Sequence, residues 1–84
     1  MYYVYLLERV DKKIYYLGYS ADLRRRVKEH NESYGCNTTK GYRWKLIYYE
    51  AYPTQKLAKI REKQLKQNRG SKRALYNRLG IDFK

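Results

Sequence analysis

Cysteine, histidine, proline and acidic residues are all scarce in this chain of 84 residues. The one cysteine, Cys36, can form neither an internal disulfide nor a thiolate cage, and with His30 as the lone histidine a zinc site is not expected. One proline and five glycines leave no Pro/Gly-rich linker, so residues 1–84 are expected to make a single domain. No apolar run approaches the roughly 20 residues that cross a bilayer. The start of the chain lacks the basic-then-apolar profile of a secretion signal, and a soluble, cytoplasmic protein is expected. There is no glycine-rich phosphate cradle, hence no dinucleotide cofactor, and no nucleophile–histidine–acid triad.

What is abundant is positive charge and tyrosine. Twenty Lys and Arg face eight Asp and Glu, a net charge of +12, while 43% hydrophobic residues suffice for a folded core. Self-repulsion on this scale disfavours compactness and calls for an anionic partner. Nucleic acid fits best, because each neutralised phosphate releases condensed counterions. A membrane surface fits poorly, since no basic helix carries a broad apolar face. Twelve tyrosines against one Phe and one Trp suit half-buried strand faces with the hydroxyl at a polar edge.

Residues 2–9 (YYVYLLER) are aromatic and branched on both alternating faces, the pattern of a central strand covered on both sides. Residues 13–19 form its hairpin partner. A two- or four-residue loop at Asp11–Lys12 sets Tyr5 opposite Gly18 and Leu7 opposite Tyr16, so that Tyr5 and Tyr16 share a face. A three-residue loop sends them to opposite faces. Ser20 is the expected N-cap of a helix over 21–30, with Leu23 and Val27 as its apolar stripe and Arg26 and His30 four apart beside it. Residues 31–42 read as loop and 43–52 as a third strand. Pro53 ends that strand, and Thr54 caps a long basic helix through about Asn68. Gly70–Ser71 punctuates the chain before a last helix that stops at Gly80. The expected fold is α+β, a three-stranded antiparallel sheet flanked by three helices in the order β-β-α-β-α-α.

On the long helix, Ala58, Glu62 and Leu65 fall within about 60° of one another, which brings Glu62 to the sheet-facing stripe; Leu57 and Arg61 extend that side. A carboxylate there needs a partner. A salt bridge is the plain reading. The chemical one is a hard divalent cation that keeps several waters, since few other acids exist to help. Arginine suits phosphate through its planar fork, and a histidine suits proton transfer near neutrality. Taken singly, Arg26, His30, Tyr5 and Tyr16 read more readily as solvated or packing residues than as chemical ones.

Their order along the chain carries more. Y-V-Y (3–5), then Y-L-G (16–18), then LRRRVKEH (23–30), WKLIYYE (44–50) and AKIREKQLK (58–66) together resemble the GIY-YIG nuclease superfamily, in particular its small stand-alone branch. The resemblance implies a nuclease acting on DNA or RNA with Mg²⁺ or Mn²⁺. It implies that Tyr5 is a general base or positioning hydroxyl and that Tyr16 lines the same site. Gly18 gives close approach to backbone or phosphate, Arg26 stabilises the phosphate, His30 lies near the first tyrosine, and Glu62 is the metal anchor. Tyr3 and Leu17 depart from the family's first glycine and its isoleucine, and Tyr19 stands where excision-repair members have lysine. An asparagine that closes the site in many members corresponds to Asn77 or Asn68. Lys12, Lys13, Lys40, Arg43 and the basic face of residues 56–66 are the expected backbone contacts. With no appended recognition domain, specificity is expected to be low or supplied by a protein partner. The rival reading is a noncatalytic nucleic-acid-binding module that retains the fold.

Overall fold

A computed structural model describes residues 1–31 and 42–81. Six elements follow in order: β1 (Tyr2–Arg9), β2 (Tyr15–Ser20), α1 (Leu23–His30), β3 (Trp44–Tyr52), α2 (Gln55–Gln67) and α3 (Arg69–Arg78). The sheet is antiparallel with order β2-β1-β3. The most apolar strand is therefore central, and Val4 through Leu7 are buried without a break.

Side-chain alternation divides these four residues between two cores. Val4 and Leu6 join Ala58 and Leu65 of α2 and Leu75 and Tyr76 of α3 on one face. Tyr5 and Leu7 join Trp44 on the other, with Tyr16, Leu23 and Val27 packed against them. The hairpin closes where the Arg9 N–H donates to the Ile14 carbonyl, leaving a four-residue loop, Val10 to Lys13. That loop realises the register with Tyr5 opposite Gly18 and Leu7 opposite Tyr16.

The pairing of β1 with β3 shifts register between Leu6 and Leu7, where Leu6 faces Tyr48 but Leu7 faces Leu46. One extra residue, Ile47, reverses the alternation along β3. Tyr49 beyond the bulge and Leu46 and Trp44 before it consequently share the Tyr5 face.

Helix ends differ from expectation in two places. Ser20 does not cap α1; Asp22 does, its carboxylate accepting from the Arg25 N–H, while the Ser20 hydroxyl braces Asp22. The break before α3 lies at Asn68, not at Gly70–Ser71. Asn68 is extended, and its side chain accepts from the Ser71 N–H, so it ends α2 and starts α3. Asparagine competes for its neighbours' backbone groups, which suits both positions. Gly80 stops α3 as expected. At φ 72° it takes the left-handed conformation, with Gly80 and Ile81 N–H groups returning to the Asn77 and Tyr76 carbonyls. Among the described residues no helix is long and apolar enough to cross a membrane.

Candidate active site

The Tyr5 face of the sheet carries most of the residues singled out above. Tyr5 stands at the centre of β1, and across from it Gly18 has no side chain. The Tyr5 ring occupies that space: a Cβ added at Gly18 would collide with the Tyr5 hydroxyl and ring. Helix α1 covers this face through Leu23 and Val27, and the same helical period brings Arg26 and His30 inward one turn apart.

His30 and Tyr5 are both fully buried, and the Tyr5 hydroxyl lies 2.8 Å from His30 Nε2. The Tyr16 ring packs 4.8 Å from the imidazole centroid, 6.5 Å from that of Tyr5 and 6.3 Å from that of Trp44. Arg26 donates to Glu29 at 3.1 Å. Burial works against the Arg26 charge, but Glu29 and then the Tyr5 hydroxyl outweigh it and raise the pKa. For His30 the direction is opposite. Burial and then the Arg26 charge push its pKa below 6.5, with Glu29 opposing more weakly, so the ring is neutral near pH 7.

In the Tyr5–His30 hydrogen bond a neutral ring can accept the phenolic proton at Nε2 or donate its own, according to its tautomer. Tyr16 and Arg26 are part-exposed; Tyr5 and His30 lie behind them.

Glu62 sits in the other layer, since α2 packs its Ala58 and Leu65 against Val4 and Leu6. Its carboxylate pairs with Lys66 at 3.2 Å and is 23% exposed. Its neighbours show which way it turns. Arg61 reaches toward β3, gripping both Glu50 oxygens at 2.9 and 3.2 Å, whereas Lys59 reaches toward β2 and stands 5.9 Å from the Tyr19 ring centroid. On a helical wheel Glu62 falls between the buried stripe and Lys59, hence on the β2 side. Strand β2 is a sheet edge, and Gly18 on it presents no side chain to the Tyr5 face. The tyrosine, arginine and histidine converge directly; Glu62 approaches the same edge strand from the opposite face.

Among the described residues no three His, Cys, Asp or Glu side chains gather to hold a metal ion. A lone, partly exposed carboxylate fits one class of ion, a hard divalent cation that keeps its waters and takes further oxygens from phosphate. Among the described residues, Lys66 is the partner that Mg²⁺ or Mn²⁺ at Glu62 would displace.

Of the expected backbone contacts, Lys12 and Lys13 are exposed in the β1–β2 loop, and Arg43 is exposed beside it, its carbonyl accepting from the Val10 N–H. Lys40 lies outside the described residues. Asn77 is exposed on α3, and Asn68 is engaged as the α2–α3 cap, so neither is brought to the tyrosine cluster. Sequence reasoning missed Asn31, which brackets the Trp44 backbone by donating to its carbonyl at 2.8 Å and accepting from its N–H. It also missed Glu50, which accepts from Tyr48, Tyr52 and Arg61. A lone acid among tyrosines in a strand was the available sign.

A family model described as the GIY-YIG catalytic domain matches residues 1–77. The UPF0213 protein HQ_3675A of Haloquadratum walsbyi is 34% identical over 82 residues, covering 96% of this chain and 91% of that protein. The UPF0213 protein SpyM3_1077 of Streptococcus pyogenes serotype M3 is 38% identical over 69 residues, covering 80% and 73%. The solution NMR structure of the UPF0213 protein BH0048 from Bacillus halodurans matches with a TM-score of 0.52 at 31% identity, covering 95% of this chain and 88% of that one.

Proposed function

Since this chain belongs to the GIY-YIG catalytic-domain family and to its UPF0213 branch, we propose that it is a divalent-metal-dependent endonuclease hydrolysing phosphodiester bonds. Its substrate on this reading is nucleic acid, DNA first, met in the cytoplasm. The observation that carries the proposal is the buried Tyr5–His30 hydrogen bond, with the Tyr16 ring packed on both residues and Arg26 one helical turn before His30.

Arg26, part-exposed and held charged by Glu29 and Tyr5, offers its fork to the non-bridging phosphate oxygens and offsets the charge that builds in the transition state. Tyr16, also reaching solvent, is the phenol placed to meet the attacking water. Tyr5 lies behind, its hydroxyl held in place by the hydrogen bond to the neutral His30 ring. A phenol is a poor base near its ordinary pKa of about 10, and adjacent cations lower that value by favouring phenolate. Glu62 would hold Mg²⁺ or Mn²⁺, which when bound supplies positive charge to the phosphate and the leaving 3′ oxygen. The phosphate would then lie at the β2 edge of the sheet, reached by Arg26 from one face and by Glu62 from the other.

Plasmid nicking in Mg²⁺ or Mn²⁺ tests this. Wild type should convert supercoiled DNA, with Glu62→Ala, Arg26→Ala and Tyr5→Phe each slower by about 100-fold or more. Equal conversion by wild type and Glu62→Ala would mean a contaminant and end the proposal. Binding by all four proteins without cleavage would instead identify a noncatalytic module.

A further inference from the structure

Beside the tyrosine cluster, between α1 and β3, lies a groove of about 620 Å³ lined by Tyr3, Leu23, Val27, Leu46 and Tyr49, with Arg24 among its walls. Among the described residues the eight of α1 are the helical cover on this face, where two helices cover the other side of the sheet. Tyr49 is therefore 53% exposed and Leu46 37%, although both point to the Tyr5 side. Tyr49 sits directly opposite Tyr5, and Tyr3 is two positions along the same strand face. The Tyr3 and Tyr49 rings meet edge to face at 6.0 Å.

We infer that this groove binds an unpaired nucleobase of the strand whose phosphate lies at Arg26. The inference rests on the nucleic-acid part of the proposed function, not on cleavage. Its walls are aromatic and branched, its rim carries Arg24 beside Asp22, and the chain bears +12. Apolar walls on a strongly cationic protein complement a flat ring attached to a phosphodiester, and every base has a π-face for a tyrosine to meet. A second copy of the chain is disfavoured by like charge. A base held in a duplex keeps its faces stacked on its neighbours, so occupancy requires a single strand, a flap or a flipped nucleotide. The groove thus selects local unpairing next to the bond to be cut, without selecting sequence.

The experiment compares a labelled single-stranded oligonucleotide with an abasic phosphodeoxyribose strand of equal length, by fluorescence anisotropy without metal. Wild type should bind the base-containing strand about tenfold more tightly. Tyr49→Ala, with its fold checked by circular dichroism and with Tyr3→Ala beside it, should erase that preference while leaving abasic binding and its salt dependence unchanged. Equal binding of the two strands by wild type, or a preference that survives both substitutions, overturns the groove assignment and leaves the nuclease proposal standing. Failure to bind either strand at low salt overturns both. An acidic peptide displaced by Tyr49→Ala, with no contribution from bases, would give the groove to a protein partner and also refute the inference.

Discussion

Substituting Gly18 by alanine should damage this protein through Tyr5. The backbone at Gly18 is ordinary strand, so no conformational strain arises from the substitution itself. The new Cβ would meet the Tyr5 hydroxyl first, then Cζ at 2.5 Å and Cε2 at 3.0 Å. These atoms cannot swing aside, because Tyr5 is buried and its hydroxyl is held at His30 Nε2. Overpacking of a filled core costs about 1–3 kcal/mol. Losing the Tyr5–His30 hydrogen bond adds about 1 kcal/mol. For a domain of this size each 1 kcal/mol lowers Tm by about 4–8 °C, so Gly18→Ala should lose about 10–25 °C in a thermal melt. The double variant Tyr5→Phe/Gly18→Ala separates this from a generic strand defect. Both single changes sacrifice the same hydrogen bond, and a phenyl ring without its tether can shift, so the double should be more stable than additivity predicts by about 1 kcal/mol. A Gly18→Ala protein within about 0.5 kcal/mol of wild type, or strict additivity in the cycle, would refute the packing argument.

Three further outcomes follow from the same geometry. Because the His30 pKa is lowered by burial and by Arg26, the unfolded chain takes up a proton below pH 6.5 that the folded one refuses. Stability should therefore fall as pH drops from 6.5 toward 5, by at most about 1.4 kcal/mol per unit, in a window where no second histidine titrates. Urea midpoints would show it, and His30→Gln should flatten the slope. Glu50→Gln should cost about 1–3 kcal/mol in urea denaturation. That is less than the loss of a fully buried pair, because Arg61 and Glu50 keep 25% and 14% of their side-chain surface. Duplex binding should weaken about a thousandfold between 50 and 200 mM salt if about six phosphates are contacted, and a shallow dependence in a binding titration would count against that footprint.

Alternation was legible in the sequence of this molecule, and capping in part. Aromatic and branched residues on both faces of Tyr2–Leu7 announced a central strand covered twice, and Thr54 and Gly80 marked helix ends, whereas the caps Asp22 and Asn68 were not read. Whether Tyr5 and Tyr16 share a face turned on the length of one loop, which the Arg9–Ile14 bond decides and no residue type dictates. The bulge at Ile47 had no glycine or proline to mark it, so the placement of Trp44 and Tyr49 on the Tyr5 face was hidden. Periodicity put Arg61 on the sheet-facing side, but its reason is an ion pair with Glu50 rather than apolar packing. His30 at a helix end read as readily exposed as buried; its full burial comes from the Tyr5 and Tyr16 rings around it.

The claim at the centre is that Glu62, coming from one face of the sheet, and Arg26 and Tyr16, from the other, serve one phosphate at the β2 edge. Titrating Mn²⁺ into labelled protein with a short uncleavable oligonucleotide, and recording which amide signals broaden, measures this directly. Residues around Glu62 and those at Tyr16, Gly18 and Arg26 should broaden together at low metal, and Glu62→Ala should abolish both sets. Broadening confined to the outer surface of α2, with Gly18 and Arg26 untouched, would contradict it.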